Sequence, residues 1–252
     1  MSVFNEYSTI YNLLYTDKDY PHEVEYIHNI LQKYGTKNVL EYGSGTGIHG
    51  CLLVDKGYSV SGVELSKGMF EQAKKRIADQ KKESSFSINN GDIRTFTIDK
   101  KFDAVISLFH VISYLTENND VVRTFRNAAT HLKQGGIFLF DVWYLPAVLT
   151  LHPQNKIKKI ESDEYLLHRI TEPVILHDKN VVEVHFKSFL TDKKTNKSSM
   201  IEEKHFMRYF STPEIHLFAS LSGFEVIESE EFLTANTPSE NTWGVCFILR
   251  KK

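Results

Sequence analysis

The segment with the clearest chemical signature is Glu41-Tyr42-Gly43-Ser44-Gly45-Thr46-Gly47. It follows a short apolar run that ends at Tyr42 and precedes a segment predicted to be helical. Glycines let a chain turn tightly and let backbone N–H groups at a helix N-terminus touch a ligand. An acid just before the first glycine favours a cationic ligand and is unfavourable beside a pyrophosphate. The segment therefore predicts a small-molecule site built on Glu41, Gly43, Gly45 and Gly47.

The same loop also fits a dinucleotide site. Gly45-Thr46-Gly47-Ile48-His49-Gly50 satisfies the pattern G-x-G-x-x-G. Glu64 follows about 20 residues later, where an acid would hold a ribose diol. Taken alone, this stretch does not separate a nicotinamide dinucleotide from S-adenosylmethionine.

Further polar residues follow the next predicted strands. Gly91-Asp92-Ile93 comes after the third strand, so Asp92 can accept a hydrogen bond from an adenine amino group beside the apolar Ile93. The fourth strand leads to Phe109 and His110. Because ligands bind at the carboxyl ends of parallel strands, all these residues are expected at one edge of a sheet. Together with Glu41 they favour S-adenosylmethionine over a dinucleotide.

Such a sheet requires alternating strands and helices, and the sequence predicts them over residues 35–145. The predicted strands are residues 39–42, 58–63, 85–89, 102–108 and 137–142, and the predicted helices are residues 49–56, 66–80 and 119–132. The strands are almost continuously apolar, which is typical of a sheet covered on both faces.

The pattern changes after residue 151. Strands are predicted at residues 157–162, 165–177, 181–191 and 199–209, several with the alternation of an antiparallel sheet that has one solvent-facing side. A helix at 212–223 and strands at 224–228 and 244–250 then complete the core. We therefore predict an open seven-stranded α/β sheet of Rossmann-like type. Its core comprises residues 35–151 and 211–252, and an inserted antiparallel sheet, residues 152–210, binds the acceptor or contacts a second copy in a homodimer.

In order and spacing, these motifs resemble those of class I S-adenosylmethionine-dependent methyltransferases. The matching features are the E-x-G-x-G-x-G loop, the acid that ends strand two, the Gly-Asp after strand three and the FDxV strand that begins at Phe102. His131-Leu132-Lys133-Gln134-Gly135-Gly136 is similar to the family's HLxPGG turn, with Gln134 in place of proline. This resemblance covers about residues 35–145. It implies methyl transfer from S-adenosylmethionine, which leaves S-adenosylhomocysteine.

A narrower resemblance, to nucleotide-sugar N,N-dimethyltransferases, covers most of the chain. It rests on Tyr11-Asn12-Leu13-Leu14-Tyr15 with Lys18-Asp19-Tyr20, and on Asp141-Val142-Trp143-Tyr144-Leu145-Pro146. The resemblance implies an amine or hydroxyl acceptor on a small molecule, in the first place a nucleotide-linked amino sugar, with Trp143 beside it. Another small metabolite, amino-acid-like or phosphorylated, is the alternative acceptor.

The resemblance also implies roles for the cofactor residues. Tyr11 and Tyr20, within a helical segment formed by residues 1–34, close over the methionine end of S-adenosylmethionine. Glu64 binds the ribose, and Asp92 with Ile93 holds the adenine. Leu65 and Leu108, which adjoin these positions at the strand ends, complete the expected cofactor contacts.

Two departures from the sugar enzymes concern the acceptor. Tyr114 stands where those enzymes carry a histidine, and the loop Pro238-Ser239-Glu240-Asn241-Thr242-Trp243 lacks their arginine. We expect Tyr114 to hydrogen-bond the acceptor and His110, or solvent, to receive its proton, because a tyrosine titrates near pH 10 and a histidine near 6.5. Arg169 and Arg208 are the candidate phosphate ligands, within a basic face that also includes Lys158, Lys159, Lys187 and Lys204.

Composition limits the classes of partner and cofactor that this protein can have. The 252 residues carry a formal charge of −2, so no global basic field favours a nucleic acid polymer. Two distant cysteines, and histidines in no metal-binding pattern, give no metal site and fit a reducing compartment. No run is apolar for long enough to span a membrane and no secretory leader is recognisable, so a cytoplasmic protein is expected. A nicotinamide-dependent oxidoreductase and a non-catalytic S-adenosylmethionine-binding protein stay open as alternatives.

Overall fold

A twisted sheet forms the centre of the structure, a computed structural model that describes residues 8–252. Seven of its strands run in the order β3-β2-β1-β4-β5-β11-β10. Their bounds are β1 Asn38–Tyr42, β2 Ser59–Glu64, β3 Phe86–Asn90, β4 Phe102–Ser107, β5 Leu132–Tyr144, β10 Phe224–Glu231 and β11 Gly244–Lys251. β1 to β5 pair in parallel, whereas β11 is antiparallel to both of its neighbours. The predicted seven-stranded α/β sheet is confirmed.

Helices cover both faces of this sheet. They are α2 Tyr20–Lys33, α3 Ile48–Asp55, α4 Lys67–Asp79, α5 Asn118–His131 and α7 Thr212–Leu221. Two further helices, α1 Ser8–Leu14 and α6 Leu145–Leu151, pack instead against apolar residues between positions 167 and 209. One apolar core packs α5 and α7 against the sheet through residues such as Phe125 and Phe218. A second core packs α2, α3 and α4 against the opposite face through residues such as Ile27 and Ile77. The strands buried between the two cores explain the continuous apolar runs of the sequence.

Four further strands form an antiparallel meander beyond β5. They are β6 Lys156–Glu161, β7 Tyr165–Leu176, β8 Val181–Asp192 and β9 Lys197–Phe210, paired in sequence order. β9 joins the central sheet through a short parallel pairing of Trp143 with Tyr209 and of Tyr144 with Phe210. This junction places one face of the meander over the carboxyl ends of the parallel strands.

Three elements differ from the sequence prediction. β5 begins at Leu132 instead of after Gly135-Gly136, because Leu132 already pairs with Phe102 of β4 across a register shift. The helix α6 and the 3-10 helix Val111–Tyr114 were not predicted, since both are too short to show a clear helical period. No helix within residues 8–252 is long and apolar enough to cross a bilayer.

Candidate active site

A large cavity, of about 1440 Å³, lies between the carboxyl ends of the parallel strands and the meander. All but three of the predicted site residues line it. The lining residues among them are Tyr11, Tyr20, Gly43, Gly45, Glu64, Leu65, Asp92, Ile93, Leu108, His110, Tyr114, Trp143 and Arg169. Of the other three, Glu41 and Gly47 support the glycine loop, and Arg208 lines a separate pocket.

Backbone geometry explains the glycines of the loop between β1 and α3. Gly43, Gly45 and Gly47 have φ values of +71°, +55° and +77°, the left-handed region that side chains disfavour. A Cβ on Gly43 would also lie 2.5 Å from a methyl carbon of Val111. Gly47 is the N-cap of α3, so the loop turns directly into that helix and presents backbone N–H groups to the cavity.

Glu64 ends β2 and fastens the glycine loop. Its carboxylate oxygens accept hydrogen bonds from the N–H of Gly45 at 2.8 Å and from the N–H of Ser66 at 2.7 Å. Burial raises the pKa of Glu64 above its ordinary value. A carboxylate has about four lone-pair sites, so Glu64 can still accept from a ribose hydroxyl.

Glu41 lies directly below this loop and is completely enclosed. Among residues 8–252, its Oε2 atom has no hydrogen-bond partner, and burial raises its pKa to about 7. An orphaned carboxylate oxygen directly beneath the glycine loop needs a donor or a positive charge to stabilise it. The cationic methionine head of a bound S-adenosylmethionine would supply such a charge, so the residues present fit this cofactor.

Asp92 is held by a neighbour that the sequence prediction missed. Arg94 donates to both oxygens of Asp92 through Nε, at 2.9 and 3.0 Å, and to Asp120 through Nη1 at 2.6 Å. The hydrogen bonds from Arg94 hold the pKa of Asp92 below its usual value. Arg94 therefore fixes an ionised Asp92 beside Ile93 at the cavity wall. The Asp-x-Arg spacing of the sequence could have indicated this ion pair, because it lets the two side chains meet within one turn of the chain.

Aromatic residues from the N-terminal helices close one side of the cavity. The rings of Tyr11 and Tyr15 are 4.8 Å apart, and Tyr15 meets Phe109 edge-on at 5.1 Å. Burial raises the pKa of Tyr20 to about 12, so this phenol stays neutral. The ammonium of Lys18 lies 4.2 Å from the Phe109 ring, which ties the segment between α1 and α2 to the loop after β4.

His110 forms a pair with a buried carboxylate. Its Nδ1 lies 2.6 Å from Oδ2 of Asp141 in β5, and its backbone N–H donates to the same carboxylate at 3.1 and 3.2 Å. Burial opposes ionisation of Asp141, but these contacts with His110 outweigh it and keep the pKa of Asp141 below its ordinary value. Asp141 thus orients the imidazole of His110, which lines the cavity.

Tyr114 makes a contact with the meander. Its hydroxyl lies 2.7 Å from Nδ1 of His205, and Nε2 of His205 lies 3.0 Å from a carboxylate oxygen of Glu203. His205 is buried and lines the cavity. No sequence pattern marked His205 as a site residue, because the alternation of a strand alone does not show which face of β9 covers the cavity.

The two arginines predicted to bind phosphate have different positions. Arg169 lines the cavity, as does Lys158. The prediction for Arg208 is wrong: its guanidinium donates to the Thr116 carbonyl at 3.2 Å and to Glu214 at 3.0 Å, outside the cavity. Its register on β9 alone did not reveal this structural ion pair.

The predicted basic face is also divided between the two sides of the meander. Lys187 pairs with Glu172 at 2.8 Å and Lys204 pairs with Glu183 at 2.7 Å. Both lysines alternate along their strands with residues that line the cavity, so they lie on its outer face.

Comparisons with known proteins relate the chain to methyltransferases. Residues 39–136 match the family described as a methyltransferase domain. The chain is 26% identical over 185 residues to dTDP-3-amino-3,4,6-trideoxy-alpha-D-glucopyranose N,N-dimethyltransferase of Streptomyces venezuelae, over 72% of this chain and 75% of that protein. It is 24% identical over 254 residues to the putative methyltransferase YqeM of Bacillus subtilis, over 99% of this chain and 97% of that protein.

A solved structure extends the likeness to the whole fold. An S-adenosylmethionine-dependent methyltransferase from Clostridium acetobutylicum matches with a TM-score of 0.82 at 19% identity, over 99% of each chain. The family match and the curated relatives indicate S-adenosylmethionine-dependent methyltransferase activity, and the chain shares the fold of the Clostridium protein.

Proposed function

We propose that this methyltransferase acts on the amino group of a nucleotide-linked sugar. The observation that carries the proposal is the continuity of the cavity from the glycine loop to Arg169 on the meander. Its volume of about 1440 Å³ exceeds the roughly 300–1,000 Å³ of an ordinary ligand pocket. It therefore has room for the cofactor and for a second molecule of nucleotide-sugar size. The name of the Streptomyces venezuelae relative points to the same acceptor class.

In this proposal, the acids at the strand ends hold the cofactor. Glu41 faces the cationic methionine head, Glu64 accepts from the ribose hydroxyls, and Asp92 accepts from the adenine amino group. S-adenosylmethionine supplies a methyl group on a positively charged sulfur. Tyr11 and Tyr20 exclude water from this end, which keeps the electrostatic interactions of the buried acids strong.

The meander supplies the acceptor end. Trp143 and Trp243 both line the cavity, with ring centroids 5.5 Å apart, and offer apolar faces to a sugar ring. The guanidinium of Arg169 lies 4.8 Å from the Phe186 ring, which holds it over the cavity wall. Arg169 is the cationic group at this end that suits a diphosphate, because the neighbouring Lys158 is already paired with Asp17 at 2.7 Å. Trp243 stands in the loop where the sugar enzymes carry an arginine.

His110 and Tyr114 flank the position of the acceptor. A protonated amine has no lone pair, so the amine must be neutral when it attacks the methyl group. The carboxylate of Asp141 lies 2.6 Å from Nδ1 of His110 and favours a proton on that nitrogen, which leaves Nε2 as the nitrogen that takes the proton of the amine. A positioned base of this kind contributes roughly 10²–10⁴-fold.

The test is release of S-adenosylhomocysteine with a panel of acceptors. We expect turnover with dTDP-linked amino sugars, a KM at least about tenfold higher for the same sugar without its nucleotide, and far lower turnover with the matched hydroxyl sugar. His110→Asn should lower kcat with little effect on cofactor affinity. Turnover confined to glycine or to nucleotide-free metabolites would refute the proposed acceptor.

A further inference from the structure

We propose that His205 and Glu203 act as positioning residues that fix Tyr114 as a hydrogen-bond acceptor towards the cavity. The inference rests on the proposed function, because it concerns how the amine of the acceptor is oriented. It assigns a role to a residue pair on the meander, of which His205 is 91 positions from the tyrosine that it controls.

The protonation pattern follows from the contacts. A carboxylate can only accept, so Nε2 of His205, 3.0 Å from Glu203, is the donor nitrogen of its imidazole. Nδ1 is then the unprotonated nitrogen and must accept from the Tyr114 hydroxyl at 2.7 Å. A hydroxyl has one proton. Once that proton is given to His205, the Tyr114 oxygen can only accept hydrogen bonds from a molecule in the cavity.

This direction matters for methyl transfer. A tyrosine that donated its proton to the amine would occupy the lone pair that has to attack the methyl group. A tyrosine that accepts instead binds an N–H of the amine and leaves the lone pair free. The chain Glu203–His205–Tyr114 therefore selects the productive orientation of a primary or secondary amine.

The surroundings hold His205 in place. It is 2% exposed, and its ring meets Phe186 edge-on at 4.9 Å. The neighbouring strand offers a matched pair on the opposite face: Nε2 of His185 lies 2.5 Å from Glu202, and His185 alternates with the cavity residues Val184 and Phe186. His185 thus has the same chemistry without access to Tyr114.

Steady-state kinetics of single and double variants test the proposal. His205→Leu should lower kcat by about tenfold, the usual effect of losing one orienting hydrogen bond of just over 1 kcal/mol. His205→Asn should recover most of that loss, because its amide oxygen can still accept from Tyr114. In a Tyr114→Phe background, His205→Leu should have no further effect. The control His185→Leu should leave kcat within about twofold of the parent.

An independent readout does not need the acceptor. ¹⁵N NMR of the parent protein, with the His205 signals assigned by comparison with His205→Asn, should show the tautomer protonated at Nε2. The tautomer protonated at Nδ1 would overturn the inference, as would an equal loss of kcat from His205→Leu with and without Tyr114. If the parent methylates no amino sugar, the proposed function fails, and the NMR result alone still decides the direction of the Tyr114 hydrogen bond.

Discussion

Replacing Glu41 by glutamine should stabilise the free protein at alkaline pH and weaken cofactor binding. Burial raises the pKa of this carboxyl from 4.5 to about 7. At 1.36 kcal/mol per pKa unit, ionising Glu41 in the folded protein costs roughly 3 kcal/mol relative to the unfolded chain. The stability that protonated Glu41 contributes is complete below pH 4.5 and is lost as the pH rises through about 7. Glutamine is neutral throughout, so Glu41→Gln escapes that loss.

The assay is thermal unfolding without cofactor at pH 4.5 and pH 8.5. The Tm of Glu41→Gln should nearly equal that of the parent at the lower pH and exceed it by roughly 5–10 °C at the higher, at about 2–4 °C per kcal/mol for a chain of this size. S-adenosylmethionine should bind Glu41→Gln about 10- to 100-fold more weakly by calorimetry, because a hydrogen bond to a charged group is lost. Glu71→Gln, on the exposed side of α4, is the matched control and should change neither quantity. An equal Tm difference at both pH values would refute the reasoning.

Three further outcomes follow from the site. Glu64→Ala should weaken S-adenosylmethionine binding by about 1.5–3 kcal/mol, and unchanged affinity in calorimetry would exclude Glu64 from the ribose site. Gly43→Ala should lower the Tm more than Gly45→Ala. Both substitutions place a side chain at positive φ, but only the alanine at position 43 also collides with Val111. Equal losses of Tm would contradict the packing argument. Arg169→Gln should raise the KM for a nucleotide-linked acceptor without changing cofactor affinity, whereas Arg208→Gln should lower the Tm and leave the KM unchanged; the reverse result would reassign the two arginines.

The cofactor half of the site was predictable because its signals are local. The glycine loop, Glu64 and Asp92 each follow a strand directly, and parallel strands bring their carboxyl ends together. Arg94 was missed although it lies two residues from Asp92, since a salt bridge between them depends on the rotamer of Arg94. Arg208 was predicted to bind phosphate because of its position on a strand. That position does not show whether its guanidinium pairs with Glu214 or with a ligand.

The acceptor half depends on contacts between distant segments. Tyr114 and His205 are 91 residues apart, and their meeting depends on the short pairing of β9 with β5, which no local pattern predicts. Identifying Asp141 as the partner of His110 likewise needed the register of β4 against β5. Tyr114 and His110 could be named as candidates from their place after β4. Their partners His205 and Asp141 could not, because they come from other strands.

The loop after β4 connects the two halves, and its backbone shows how. Phe109 and His110 both adopt positive φ, at 64° and 61°, although neither is glycine. Such conformations cost about 1–3 kcal/mol each and persist only where the surrounding structure enforces them. Here Lys18 holds the Phe109 ring from the cofactor side, while Asp141 binds both the ring and the backbone N–H of His110. The strained pair therefore directs His110 to the cavity and starts the 3-10 helix that ends at Tyr114, so the contact with Lys18 in the N-terminal segment and the contact with His205 in the meander depend on the same two residues.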